Sequence, residues 1–203
     1  ACGAIAYFGQ GDDRKALDVL GKAESDFREG VARRVVAYAS IGIEDLDLVR
    51  EEFWRVHRND DLDFSIYESA FDWTIFRLFD DVNGIARTEA QLLQVDESPW
   101  WEDLFDRMWW EEFGKFLQSD READDLSLLL DNTNDLRINR VGVRFCLAMD
   151  SLADDDMEEA REHLDAGIKT GCIRGFAYWL CLAFKNRLEI EPDWLANLDR
   201  SDE

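Results

Sequence analysis

Residues 4–23 read AIAYFGQGDDRKALDVLGKA, two short helical patterns separated by a break rich in glycine and aspartate. Ala4 stands before the break, and Ala16 and Ala23 stand after it. Small side chains at this spacing let two antiparallel helices approach closely, while Tyr7 is large enough to fill the space between them. The stretch therefore predicts a helical hairpin that turns at the break.

The same periodicity continues along most of the chain. Apolar residues recur at three- and four-residue steps, as in Leu46, Val49 and Phe53. The chain has two prolines and four threonines, and so offers little of the composition that β-sheets and their turns require. The breaks between helical patterns are only a few residues long, which is typical of loops joining antiparallel helices. We predict an all-α chain of about ten helices, folded as a single domain over residues 1–203.

The first hairpin resembles a tetratricopeptide repeat (TPR). Ala4 and Tyr7 match the family's small and aromatic positions in its first helix, and the turn falls on Gly11-Asp12. Ala16 and Ala23 match the small positions of its second helix. The resemblance implies a stack of such hairpins that binds protein or peptide partners.

A second stretch resembles the same family with two departures. Its matching residues, on either side of a turn at residues 154–156, are Leu147, Ala148, Ala160, Leu164 and Gly167. Arg144 and Ser151 stand where the family has a large aromatic residue and a tyrosine. Ala16 and Ala160 are 144 residues apart, which is not a multiple of the 34-residue repeat, so an aromatic middle at about 61–132 interrupts the pattern. We therefore expect antiparallel hairpins stacked as a short, irregular TPR-like solenoid.

The charge is strongly negative, with 46 Asp and Glu against 23 Lys and Arg and a net charge of -23. This balance argues against direct binding of nucleic acid. It favours a basic protein partner, and an inhibitor or immunity protein is the kind of molecule that such a surface suits. The alternative is a surface that serves only solvation in a salt-rich cytoplasm, or that reflects genome composition.

The helix predicted over residues 99–118 offers a candidate partner-binding site. Trp100 and Trp110 fall off its apolar stripe, and Asp103 and Glu111 lie beside them. Exposed tryptophans with an acidic rim would form an interface anchor. The alternative is that both rings pack against a second helix.

An arginine row on another predicted helix offers a second candidate. Arg137, Arg140 and Arg144 recur at helical spacing on one face. Because the first helices of tetratricopeptide repeats line their concave side, the resemblance implies that Arg137 and Arg140 contact a bound peptide. The alternative is pairing with nearby carboxylates.

The sequence offers few candidate catalytic residues. We predict no enzyme activity, no cofactor and no metal site. The two histidines, His57 and His163, stand on separate predicted helices, and Glu159 with His163 supplies only two potential metal ligands. No nucleotide loop or nucleophile motif occurs, and the four cysteines lack CxxC spacing, so we expect reduced, buried thiols. A helical enzyme with a carboxylate metal site remains an alternative that rests only on the many acids.

No apolar run approaches the roughly 18 to 20 residues of a membrane span, so we expect a cytoplasmic protein without a membrane partner. The chain opens on Ala1 in helical pattern, which favours a segment of a longer protein. We predict a non-enzymatic protein-binding module of inhibitor or immunity type. The alternative is a TPR-like scaffold or regulatory domain that binds peptides, and the sequence leaves the oligomeric state open.

Overall fold

A computed structural model describes residues 2–22, residues 71, 73–74, 76–78 and 82–86, and residues 137–173 and 176–197. Its helices are α1 (Cys2–Gly9), α2 (Asp13–Lys22), α3 (Arg137–Ala153), α4 (Met157–Lys169) and α5 (Phe176–Ile190), followed by a 3-10 turn at Leu195–Asn197. The described residues between 71 and 86 are also helical, and these ranges contain no strand. This part of the chain confirms the prediction of an all-α fold. Within it, no helix combines the length and apolarity that crossing a membrane requires.

The turn of the N-terminal hairpin forms where the glycine and aspartate break predicts it. Gly11 has a φ of +77°, a left-handed conformation that glycine enters without steric cost, and its N–H donates to the Phe8 carbonyl at 2.9 Å. Asp12 then accepts a hydrogen bond from the backbone N–H of Lys15 at 3.3 Å. The aspartate thus caps the start of α2.

Small residues bring α1 and α2 together as expected, since Ala4 and Ala16 are both fully buried. Of the two aromatic residues of α1, Phe8 is fully buried, with its ring against Phe184 and Trp194, whereas Tyr7 is half-buried. Ala23 lies outside the described residues.

The C-terminal hairpin joins α3 to α4 through an aspartate turn. Asp155 has a φ of 60°, and the Asp156 backbone N–H donates to the Ser151 carbonyl at 2.8 Å. The Asp156 side chain accepts from the Glu159 backbone N–H at 3.0 Å and caps α4. Asp156 therefore has a structural role as a helix cap.

Close helix contacts depend on two glycines. A Cβ at Gly167 would lie 2.7 Å from the Cys181 Sγ, so glycine lets α4 approach α5. A Cβ at Gly9 would lie 2.9 Å from the Ala183 Cα, so α1 and α5 approach with backbone almost in contact. α5 thus packs against α1 on one side and α4 on the other.

An aromatic chain runs through the core between these helices. The ring centroids of Phe71 and Phe145 lie 5.3 Å apart, those of Phe145 and Phe184 lie 5.4 Å apart, and those of Phe184 and Phe8 lie 5.0 Å apart. Phe8, at the N-terminal end, therefore shares one core with Phe184, near the C-terminal end.

Arg187 reinforces the contact between the two ends. Its side chain is 3% exposed, and its two terminal nitrogens lie 2.7 and 2.8 Å from the carboxylate oxygens of Asp13 in α2. Glu191 lies 2.9 Å from the same guanidinium, which also stacks over the rings of Phe8 and Trp194. A bidentate ion pair thus joins residues 174 positions apart in sequence.

Candidate functional site

A polar cluster of Arg144, Ser151, Glu159 and His163 lies between α3 and α4, and the pKa of its histidine is lowered. The Arg144 Nη1 lies 2.9 Å from the His163 Nδ1. A guanidinium can only donate, so we assign Nδ1 as the acceptor and place the ring proton on Nε2. The Nε2 lies 3.7 Å from the Glu159 Oε1, too far for a good hydrogen bond.

His163 is 7% exposed, and its burial, followed by the charge of Arg144, lowers its pKa from 6.5 to about 4. The imidazole is therefore neutral near pH 7 and contributes no charge to the cluster.

Arg144 is a half-buried cation without a carboxylate partner among the described residues. Burial lowers its pKa, although the side chain of arginine stays protonated. Of the described side-chain donors, only Arg187 Nε and Trp194 Nε1 are both buried and unpaired. The Nε and Nη2 of Arg144 form no hydrogen bond within the described residues. Arg144 bonds a histidine, where pairing with a carboxylate was the alternative considered from sequence.

The cluster lacks an arrangement for nucleophilic catalysis. The Ser151 hydroxyl lies 2.9 Å from the Leu147 carbonyl and 3.2 Å from the Glu159 Oε2, and among the described contacts it makes none with His163. A serine nucleophile needs a base within hydrogen-bond reach. The cluster can instead present donors to an anion.

The two buried cysteines, Cys146 and Cys181, have no features of reactive thiols. Cys146, Cys172 and Cys181 are free, and burial raises the pKa of Cys146 well above its usual value and that of Cys181 to about 12. Both buried thiols therefore stay protonated and are poor nucleophiles. Within the described ranges, no group of three His, Cys, Asp or Glu side chains is placed to hold a metal ion.

The structure places two of the predicted site residues on α3. Arg137 is exposed at the start of the helix, and Arg140 is half-buried one turn later. Arg137 and Arg144 are seven residues apart and thus lie on nearly the same helix face. We call Arg137, Arg140 and Arg144 the α3 arginine face. The remaining predicted site residues, which lie outside the described residues, are Trp100, Asp103, Trp110 and Glu111.

α4 carries charge of the opposite sign. Glu158 and Glu162 are exposed, stand one helical turn apart, and form no ion pair within the described part of the chain. We call this pair the α4 acidic face. Nearby Asp154 differs because it lies 2.7 Å from Arg77, which also binds Asp150 at 2.5 Å. Asp154 and Asp156 of the turn thus make contacts that stabilise the fold, whereas Glu158 and Glu162 form no ion pair within the described residues.

Sequence reasoning missed one exposed aromatic residue. Trp179 on α5 is 41% exposed, and its Nε1 donates to the Ile173 carbonyl at 3.0 Å. Ile173, in the loop before α5, is 61% exposed. A helical wheel of α5 could have found Trp179, because it lies opposite the buried Leu188 and Ala177.

Comparison of the chain with protein-family models, with curated proteins and with solved structures gave no match. The likeness to tetratricopeptide repeats therefore rests on the residues quoted above and stays a prediction.

Proposed function

We propose that this chain is a non-enzymatic protein-binding module of inhibitor or immunity type, which docks an acidic surface against a basic protein partner. The observation that carries the proposal is the α4 acidic face. Glu158 and Glu162 are exposed like charges at i and i+4 that form no ion pair within the described residues, in a chain of net charge -23.

The spacing of Glu158 and Glu162 argues against a purely structural role for the pair. Like charges at i and i+4 destabilise a helix by about 0.2 to 0.5 kcal/mol. Glu158 recovers part of that cost because it stands in the first turn, where the helix dipole favours negative charge, but Glu162 lies one turn further along. Accumulated negative charge also attracts a positively charged partner over long range and accelerates association.

Ion pairs between basic residues and carboxylates within this chain support the same proposal. Arg77, Lys185 and Arg187 each contact a carboxylate of this chain. Unpaired acids on the surface are therefore the groups available to an external cation, and no described cluster supplies the geometry of an enzyme.

A second candidate is a TPR-like scaffold or regulatory domain that binds peptides. The two helical hairpins favour it, since each has a fully buried small residue in its second helix, Ala16 and Ala160. As part of this candidate function, we propose that such hairpins stack into a short solenoid. In an open stack each helix touches only its neighbours. Because α1 contacts α5, this candidate requires a stack in which these two helices also meet.

Salt dependence separates the two candidates. The immobilised full chain is exposed to nuclease-treated lysate of the source organism at about 50 and about 300 mM salt, where the Debye length falls from roughly 14 to 6 Å. An acidic inhibitor retains one basic protein stoichiometrically at low salt and loses most of it at the higher salt. Retention of many proteins with a shared motif, unaffected by salt, would support the scaffold instead.

A further inference from the structure

Arg144 differs from Arg77 and Arg187 because it has no carboxylate partner among the described residues. Arg77 and Arg187 contact carboxylates at 2.5 to 2.9 Å, whereas Arg144 contacts neutral His163. Removing a guanidinium from water without a counter-charge costs free energy that a hydrogen bond to a neutral ring repays only in part. An anion that reached Arg144 would supply the missing counter-charge.

His163 also orients the guanidinium. It engages Nη1 at 2.9 Å, and Nε and Nη2 form no hydrogen bond within the described part of the chain. These two nitrogens form one edge of the planar fork, the edge that receives a carboxylate through two parallel hydrogen bonds. Because the ring already holds the side chain, a ligand loses less conformational entropy on binding there.

A second unpaired cation lies on the same helix face. Arg137 is exposed, forms no ion pair within the described part of the chain, and precedes Arg144 by seven residues. At 1.5 Å per residue the two Cα atoms are about 10 Å apart along the axis. A peptide in the polyproline II conformation has three residues per turn and rises about 3.1 Å per residue, so side chains three residues apart lie on one face, about 9 Å apart.

We propose that the α3 arginine face binds an acidic peptide segment of a partner protein, with one carboxylate on Arg144 and a second, three residues away in a polyproline II conformation, near Arg137. This site goes beyond the proposed function, because it uses the opposite charge on a different helix from the α4 acidic face.

The direct test uses the full chain and three capped hexapeptides. The probe is Ala-Glu-Ala-Ala-Glu-Ala, and the controls are its Gln-for-Glu analogue and the isomer Ala-Ala-Glu-Glu-Ala-Ala. Titration is followed by the NMR signals of the arginine Nε–H groups. We expect saturable shifts at Arg144 and Arg137 with the probe, no saturation with the Gln analogue, and binding about threefold weaker with the isomer. Equal binding of all three peptides, or none, would overturn the proposal.

Matched variants locate the site on the protein. Arg144→Gln removes the charge-assisted pair and should weaken binding of the probe about tenfold. Arg161→Gln removes an exposed arginine of α4 without an ion pair in the described residues, and should change binding less than about twofold. Arg144→Lys keeps the charge but loses the fork, and should also bind more weakly than wild type. Equal affinities of the Arg144→Gln and Arg161→Gln variants would contradict the assignment, provided that circular dichroism shows both folded.

One further double variant separates this site from the proposed function. Glu158→Gln with Glu162→Gln should leave binding of the acidic probe intact or strengthen it, because the variant reduces repulsion. The same variant should weaken capture of a basic partner. Loss of both activities would assign the probe to the α4 acidic face and overturn the proposal for the arginine face.

Discussion

At the scale of single residues, His163 links stability to pH. Its pKa is about 4 in the folded protein, against 6.5 as its ordinary value. Between these values the unfolded chain binds a proton that the folded chain does not, so folding stability decreases as pH falls. The contribution of the neutral ring is fully present above about pH 6.5 and is lost as pH approaches about 4. Arg144 and Glu159 are the charged side chains that face the ring.

The variant His163→Asn isolates this effect, because its side-chain oxygen can replace Nδ1 as acceptor but does not titrate. We expect wild type to be more stable at pH 7 and to lose that advantage between about pH 6.5 and 4. Urea unfolding of both proteins across this range measures the difference. A difference in unfolding free energy that does not vary with pH would refute the titration of His163.

Arg187 is the residue whose removal should cost most among the ion-paired side chains described. Arg187→Met leaves Asp13 largely buried without its bidentate partner, and we expect a loss of about 3 to 5 kcal/mol in the free energy of unfolding. Lys185→Met is the matched control, since the Lys185 pair with Asp165 is part exposed and should contribute at most about 1 kcal/mol. Similar losses in the two variants would show that the buried pair does not join the chain ends as described.

At the scale of helices, the approach of α4 to α5 depends on the missing side chain of Gly167. Gly167→Ala places a methyl group 2.7 Å from the Cys181 Sγ, and we expect a loss of about 1 to 3 kcal/mol. Cys181→Ala removes that sulfur, so the double variant should lose less than the sum of the single losses. Thermal and urea unfolding of the four proteins measure the coupling. Strict additivity would mean that the two helices are further apart than described.

The helical hairpins could be predicted because their determinants are local. Gly11 marks the first turn, and Ala4 and Ala16 stand at the contact that it creates. The pairing of Arg144 with His163 could not be predicted in the same way, because it depends on the rotation of α3 against α4. Helical spacing grouped the arginines on one face but gave no information about their partners.

At the scale of the whole molecule, the contact of α1 and α2 with α5 could not be predicted from the sequence. Nothing local relates Asp13 to Arg187 or Phe8 to Phe184, because each pair is formed by long-range packing. The expectation of a linear stack gave no reason to place α1 beside α5. Composition, by contrast, established the net charge of -23 at once, and the described structure adds that Glu158 and Glu162 are not neutralised within it.

The most direct test of the acidic-surface proposal compares two variants of equal charge. Glu158→Gln with Glu162→Gln changes the α4 acidic face, and Glu189→Gln with Asp193→Asn removes two exposed acids elsewhere. The measurement is the Kd of each for the purified basic protein retained in the capture experiment, at about 50 mM salt. The proposal predicts about fivefold or greater weakening for the first variant and less than about twofold for the second. Equal weakening of both would show that the charge acts only as a diffuse field, and would contradict a binding surface on α4.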